Sequence, residues 1–535
     1  MSTFYITTPL FYVNDLPHIG SAYPTIACDY LAGHMMQRGE EVAFLTGTDE
    51  HGQKIEKAAA ANNKEPQAHV DYISEEFKKL WQILGINYDY FIRTSSPEHK
   101  DFVTEFFKKV QENGDIYKGE YKGLYCVSCE DFWLEKDLEE NEAGEKRLCP
   151  THKAPVDEYS QENYFFKLSK YQDKLLDYFN ANPGFISPES RKNEVMGWIK
   201  EGLRDFPISR TNLSWGIPVP GDENGQVIYV WFDALLGYIS GLGEDRDKFW
   251  KENSVVHIIG KDILRFHAVY WPAILMSAGF PLPKKVFGHG FLTKDGMKMG
   301  KTLGNVIDPV ALSLQYGPEA VKYYFLREIV FGRDGDYTDE SFIQCLNSDL
   351  ANNLGNLLNR SLKLVTKNFD SSIDGLAINP DFIVKFNDMH NSFIKHLDDL
   401  NPYFAFEVLF KLLNETNAYI NDQAPWKVLK GAEPGTAEHN EAGTCLKTCV
   451  EACKRAAFYI APAIPELSKK IMSNLGYEID DSISRKELLT GLLNFSNLGS
   501  ELPAKISETP APIFQRLEIA RHCEEDEVRR GNPVS

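Results

Sequence analysis

The chain has 535 residues, 43% hydrophobic and 25% charged, enough for three or four globular units at about 150 residues each and unlike a disordered or fibrous protein. No run approaches the roughly 18 apolar residues that suggest a membrane span. A net charge of −20 argues against binding along a nucleic-acid backbone, which depends on Lys and Arg, so any RNA contact must be local.

The opening MSTFYITTPL runs straight into strand-like alternation with no basic leader or apolar h-region, so a cytoplasmic location is expected. Nine cysteines, an odd number and partly clustered, suit a reducing compartment. Residues 4–10 predict a strand, Pro17-His18-Ile19-Gly20 a turn, and 21–38 a helix. A second buried strand, 42–46, ends in the loop Gly47-Thr48-Asp49-Glu50-His51-Gly52, and 75–84 continues a helix. This alternation predicts an α/β fold of Rossmann-like type, a parallel sheet covered by helices with its ligand site at the carboxyl ends of the strands.

From residue 116 the pattern breaks into glycine turns, a cysteine cluster and the charged run 135–146. An inserted module over 116–226 is the simplest reading, dividing the α/β unit into 1–115 and 227–297. Strands are expected at 227–231, 255–259 and 286–291, then a loop and linker over 298–340. Beyond 339 strand signals vanish, and amphipathic segments at 342–365, 383–400, 405–419 and 445–475 predict an all-helical unit over 341–476. Residues 477–535 read as a helical end running into a poorly ordered tail, rich over its last thirty-odd residues in Pro, Glu and Arg.

Cys126-x-x-Cys129 and Cys149-x-x-His152 form two ligand pairs with zinc-ribbon spacing, and a structural Zn2+ that ties down a module with little core of its own is the favoured reading. Cys445, Cys449 and Cys453 share a helical face, where packing is the simpler role.

The turn at His18 and Gly20 precedes a helix N-terminus, which suits a phosphate; alone it is more often merely a turn. The segment Lys298-Met299-Gly300-Lys301-Thr302 places two lysines between glycines on a loop that could close on a triphosphate. Together the two resemble the HIGH and KMSKS signatures of class I aminoacyl-tRNA synthetases. TTPLFYVND, TGTDEHG, YVWFDALLGY, GKDILRFHAVYWPA and NLLNR with a later APW narrow the resemblance to methionyl-tRNA synthetases over roughly the first 475 residues. Two departures stand out: Ser21 replaces the second histidine of HIGH, and Gly300 and Thr302 replace the serines of KMSKS.

The resemblance implies a ligase that makes methionyl-adenylate from L-methionine and Mg2+-ATP, then charges initiator and elongator tRNA(Met). It assigns catalysis to His18, Lys298, Lys301 and Arg210, and ATP binding to His18, Gly20, Ser21, Asp262, Lys298 and Lys301. Asp49 takes the methionine ammonium group. Leu10, Tyr12, Trp231, Ala234, Leu235, Tyr238, Ile263, Phe266, His267 and Trp271 form an apolar pocket, with His267 meeting the thioether or orienting Tyr12. Periodicity alone would read the 231, 234, 235, 238 stripe as core packing. In the helical unit, Asn356, Arg360 and Trp426 match anticodon-reading positions, where stacking and base-edge hydrogen bonds need few cations. No appended domain suggests dimerisation, so a monomer is expected.

Overall fold

The computed structural model describes residues 2–127, 131–133, 135–141, 144–151, 153–211, 213–251, 254–299, 304–480, 482–507 and 511–518. Six parallel strands form its central sheet: β1 (Thr3–Tyr12), β2 (Glu41–Asp49), β3 (Tyr90–Arg93), β4 (Ile186–Ser187), β5 (Val255–Gly260) and β6 (Lys285–His289), in the order β3-β2-β1-β5-β6-β4. The order reverses at β1, between β2 and β5, which opens a crevice at the carboxyl ends of β1 and β5. Both faces are covered, and β1, β2, β5 and β6 are correspondingly buried along most of their length.

Helix α1 (Ile19–Gln37) follows β1. It is buried nearly all round, because the sheet lies on one side and the C-terminal helices on the other. The expected strand at 227–231 is shorter than its apolar run suggests. Only Val227–Ile228 is paired as a strand, and Trp231 belongs to helix α2 (Val230–Ser240). A fully buried helix and a buried strand have the same apolar pattern, so periodicity could not separate them.

The insertion forms a four-stranded antiparallel sheet built on the long pairing of Ile116–Cys126 with Asp157–Phe166. The chain then returns to the main sheet earlier than the composition suggests: β4, inside the span 116–226, pairs with β6. Two residues are too short to carry a strand signal of their own.

The helical unit includes α3 (Asn356–Asn368), α4 (Pro402–Gln423) and α5 (Ala437–Ile460). The expected segment 445–475 is broken after Ile460, and Pro465 starts a new helix at its first turn. The expectation of a poorly ordered tail needs correction as far as residue 518. Ile506 and Ile513 are buried, Ile506 N–H donates to the Ser371 carbonyl, and Asn347 exchanges two hydrogen bonds with the backbone of Leu517. No described helix is long and apolar enough to cross a membrane.

Candidate active site

The β1–α1 junction explains two of the expected nucleotide residues locally. His18 is the N-cap of α1, and its Nδ1 accepts from Gly20 N–H at 3.0 Å. An imidazole nitrogen that accepts carries no proton, so in the neutral ring the proton sits on Nε2, available to an anionic oxygen at the helix N-terminus. Gly20 is required for this geometry: a Cβ there would lie 2.8 Å from His18 Cε1. Ser21 follows, buried, with its N–H donating to the His18 carbonyl.

Lys298 lies in a short hairpin, Leu292–Lys294 with Met297–Lys298, which pairs on its other edge with Gly335–Tyr337. Its side chain is exposed, and its carbonyl accepts from Asn305 Nδ2 at 3.2 Å. Gly300, Lys301 and Thr302 lie outside the described residues. Asp262 is exposed just beyond β5, beside Gly260, where a Cβ would lie 2.4 Å from its Oδ1. Arg210 is largely buried. Its guanidinium stacks 3.8 Å from the Tyr229 ring, and Nη1 donates to the carbonyls of Pro207 and Ser209 at 3.3 and 2.9 Å.

The expected amino-acid residues converge on the carboxyl ends of β1 and β2. Tyr12 and Asp49 are register partners, and Asp49 is only 2% exposed. Trp231 meets Tyr12 edge-on at 6.2 Å and stacks flat on Phe266 at 3.9 Å. On α2, residues 231, 234, 235 and 238 share one face. Leu10 reaches this helix because position 237 is glycine, where a Cβ would lie 2.7 Å from Leu10 Cδ1.

Phe266 and His267 sit in a π turn, Phe266–Tyr270. Such turns are rare and recur at functional sites. His267 Nδ1 lies 3.1 Å from the Ile263 carbonyl, which can only accept, so Nδ1 holds the proton and Nε2 accepts from Tyr238 O–H at 2.8 Å. His267 thus orients Tyr238, while Tyr12 packs on Trp231. Burial pushes its imidazole down to about 4, keeping it neutral. Trp271 lies one layer behind. It is fully buried, packs on Trp250 and donates to His257 Nε2 at 3.3 Å, and the His257 ring is 4.5 Å from that of Tyr238.

In the helical unit, Asn356, Arg360 and Trp426 line one cavity of about 610 Å³. The Arg360 guanidinium lies 5.2 Å from the Trp426 ring and donates to Asn421 Oδ1 at 2.8 Å. A nine-residue π segment, Asn347–Gly355, leads directly into α3. In the insertion, Cys126 and Cys149 are completely buried and share a core of four buried residues with Leu138 and Val156. Cys129 and His152 lie outside the described residues, among which no group of three or more His, Cys, Asp or Glu side chains is placed to hold a metal ion.

A family model described as tRNA synthetases class I (M) matches residues 4–362. The chain belongs to that family. A chloroplastic/mitochondrial methionine–tRNA ligase of Arabidopsis thaliana is 47% identical over 98% of this chain and 85% of its own. A methionine–tRNA ligase of Nostoc sp. is also 47% identical, over 97% and 98% respectively. Methionyl-tRNA synthetase of Mycobacterium tuberculosis, solved in complex with methionyl-adenylate, superposes with a TM-score of 0.88 at 38% identity, covering 96% of this chain and all of that one.

Sequence reasoning assigned Asp49 within the motif TGTDEHG but gave no role to its neighbours. Glu50 is buried and binds Arg93 through both oxygens at 2.8 and 3.0 Å, accepts from Thr48 O–H at 2.7 Å, and is hydrogen-bonded by Ser95. His51 Nδ1 lies 2.7 Å from Asp233, which also holds His99 Nε2 at 2.6 Å. Burial raises the Asp233 carboxyl, but the two imidazoles, His51 above all, outweigh it and hold it at about 2. The signal in the sequence was a lone aspartate inside the apolar stretch YVWFDALLGY.

Proposed function

We propose that this protein is a methionine–tRNA ligase. A methionine carboxylate oxygen attacks the α-phosphorus of ATP, the bond to pyrophosphate breaks, and methionyl-adenylate forms. A terminal ribose hydroxyl of tRNA(Met) then attacks the adenylate carbonyl carbon and AMP leaves. The observation that carries this reading is the buried carboxylate of Asp49, set against the Tyr12–Trp231–Phe266 wall beside the His18-capped helix. A zwitterion with an apolar, polarizable side chain fits that combination.

In this reading Asp49 takes the ammonium group through a charge-assisted hydrogen bond. Ala234, Leu235, Ile263 and Leu10 complete the side-chain slot, and Tyr238 is fixed by His267 at its end. His18 Nε2–H and the α1 N-terminus meet phosphate oxygens, Ser21 supplies one further donor, and Asp262 faces the nucleotide. Lys298 and Lys301 stabilise the charge that grows on departing pyrophosphate. ATP enters as its Mg2+ complex. Arg210 would join the phosphate set, and its stacking on Tyr229 also orders the residue before α2.

Cys126, Cys129, Cys149 and His152 would hold a structural Zn2+. Two buried thiols in a core with four buried members among the described residues suit that role, because a metal fixes ligand geometry where apolar burial is small. Asn356, Arg360 and Trp426 would read the CAU anticodon of initiator and elongator tRNA(Met), and the enzyme would work as a cytoplasmic monomer.

Amino-acid-dependent ATP–pyrophosphate exchange across the twenty amino acids tests the central claim. Exchange should depend on methionine, and exchange driven by leucine, isoleucine or valine in its place, or by none, would overturn it.

A further inference from the structure

The ammonium carboxylate and the apolar wall belong to different elements, Asp49 to the end of β2 and Trp231, Ala234, Leu235 and Tyr238 to α2. Their separation must match one amino acid, so something has to fix it. Tyr12 against Trp231 is one link. The second is His51, two residues beyond Asp49, hydrogen-bonded through Nδ1 to Asp233 in the first turn of α2.

We infer that the His51–Asp233–His99 cluster is a positioning unit that sets the distance between Asp49 and the side-chain wall, and so tunes methionine binding. The inference rests on the ligase reading above. Asp233 cannot touch the substrate itself, because it lies about 150° around α2 from the face carrying 231, 234, 235 and 238. It faces Pro97–Glu112 instead, where His99 donates to it and places Nδ1 2.7 Å from Ser240 Oγ.

Asp233, completely buried, is an ionised acceptor with two donors, a geometry that low dielectric makes stiff. Between Asp49 and His51, Glu50 is pinned by Arg93, Thr48 and Ser95. Trp215 closes over His51 edge-on at 5.5 Å, donates to the Glu50 carbonyl, and accepts Gly52 N–H. The backbone that carries Asp49 onward is therefore anchored at each of the next three residues.

The test exploits which imidazole nitrogen is used. An asparagine at 51 puts its amide nitrogen where Nδ1 stands, whereas a glutamine amide reaches toward Nε2 and leaves Asp233 without that donor. In methionine-dependent pyrophosphate exchange, His51→Gln should raise the methionine KM about ten-fold, with kcat and the ATP KM within two-fold of wild type. His51→Asn should return the methionine KM to within two-fold. Asp233→Asn, which keeps the shape but weakens a charge-assisted bond, should raise it about three-fold, and carries the test if His51→Gln does not fold. An unchanged methionine KM in His51→Gln or in Asp233→Asn overturns the inference, as do equal rises in His51→Gln and His51→Asn, which would mean that Nε2 meets substrate directly. A wild-type enzyme without methionine-dependent exchange would instead remove the ligase reading, and that control is read first.

Discussion

Gly20 shows how one missing side chain can decide the placement of an imidazole. Its backbone N–H holds His18 Nδ1, and a Cβ would sit within 3.0 Å of both Cε1 and Nδ1. Gly20→Ala must therefore push the imidazole off the helix N-terminus. Misplacement of a catalytic group by about 1 Å costs roughly 10²-fold, so kcat for pyrophosphate exchange should fall by about that factor with the methionine KM nearly unchanged. His267 gives a second expectation at this scale. Burial lowers its pKa to about 4, below the ~6.5 of an unfolded histidine. Between those values the unfolded chain binds the extra proton and the folded one does not, so stability falls as pH drops from about 6.5 to 4 and this contribution is flat below. The His267 imidazole followed by NMR should remain neutral at pH 6, and His267→Asn should flatten the acid limb of thermal stability over that window.

At the scale of elements, the zinc reading can be tested on the outer part of the insertion, around Cys126 and Cys149. Among the described residues this outer core has four buried members, two of them Cys126 and Cys149, with Leu124 and Trp133 partly buried against them, a small apolar area for a loop-rich segment. About one zinc per chain is expected from metal analysis of purified protein, and Cys149→Ser should lower the zinc content and expose the insertion to protease while the helical unit stays protected. Zinc well below one per chain would count against the ligand set. The elements also show what could be read from the sequence and what could not. β1, β2, β5 and the amphipathic helices were legible because period and apolar content agree there. Trp231 was misplaced into a strand because α2 is buried on every side, and β4 was invisible because two residues have no period. The π turn at Phe266–Tyr270 was equally hidden, since the inserted residue changes direction and not composition. Site residues carried by motifs, such as His18, Asp49 and Trp231, could be named in advance. Asp233 could not, because its role appears only when two distant histidines meet on one carboxylate.

For the whole molecule, the question is how a chain of net charge −20 handles RNA. The α/β and helical units share a continuous core. α1 is fastened to the C-terminal region by Gln37 Nε2, which donates to the carbonyls of Phe458 and Leu493, and by Asp29 paired with Arg485 at 3.1 Å. The cavity at Asn356, Arg360 and Trp426 is thus mounted on the same body as the proposed adenylate site, and RNA bound there would be presented in a fixed register. Its lining is mostly amide, with Asn352, Asn356 and Asn417 beside Arg360, Lys363 and Trp426. Edge hydrogen bonds and stacking suit such a surface, and stacking is worth about 1–3 kcal/mol per base, roughly 5- to 150-fold in affinity. Trp426→Ala should accordingly lower kcat/KM for tRNA(Met) charging within that range, since it removes both the stacking face and the ring that backs Arg360. Methionine-dependent pyrophosphate exchange, which needs no RNA, should stay within two-fold of wild type. If both activities fell together, Trp426 would be holding the common core rather than reading RNA.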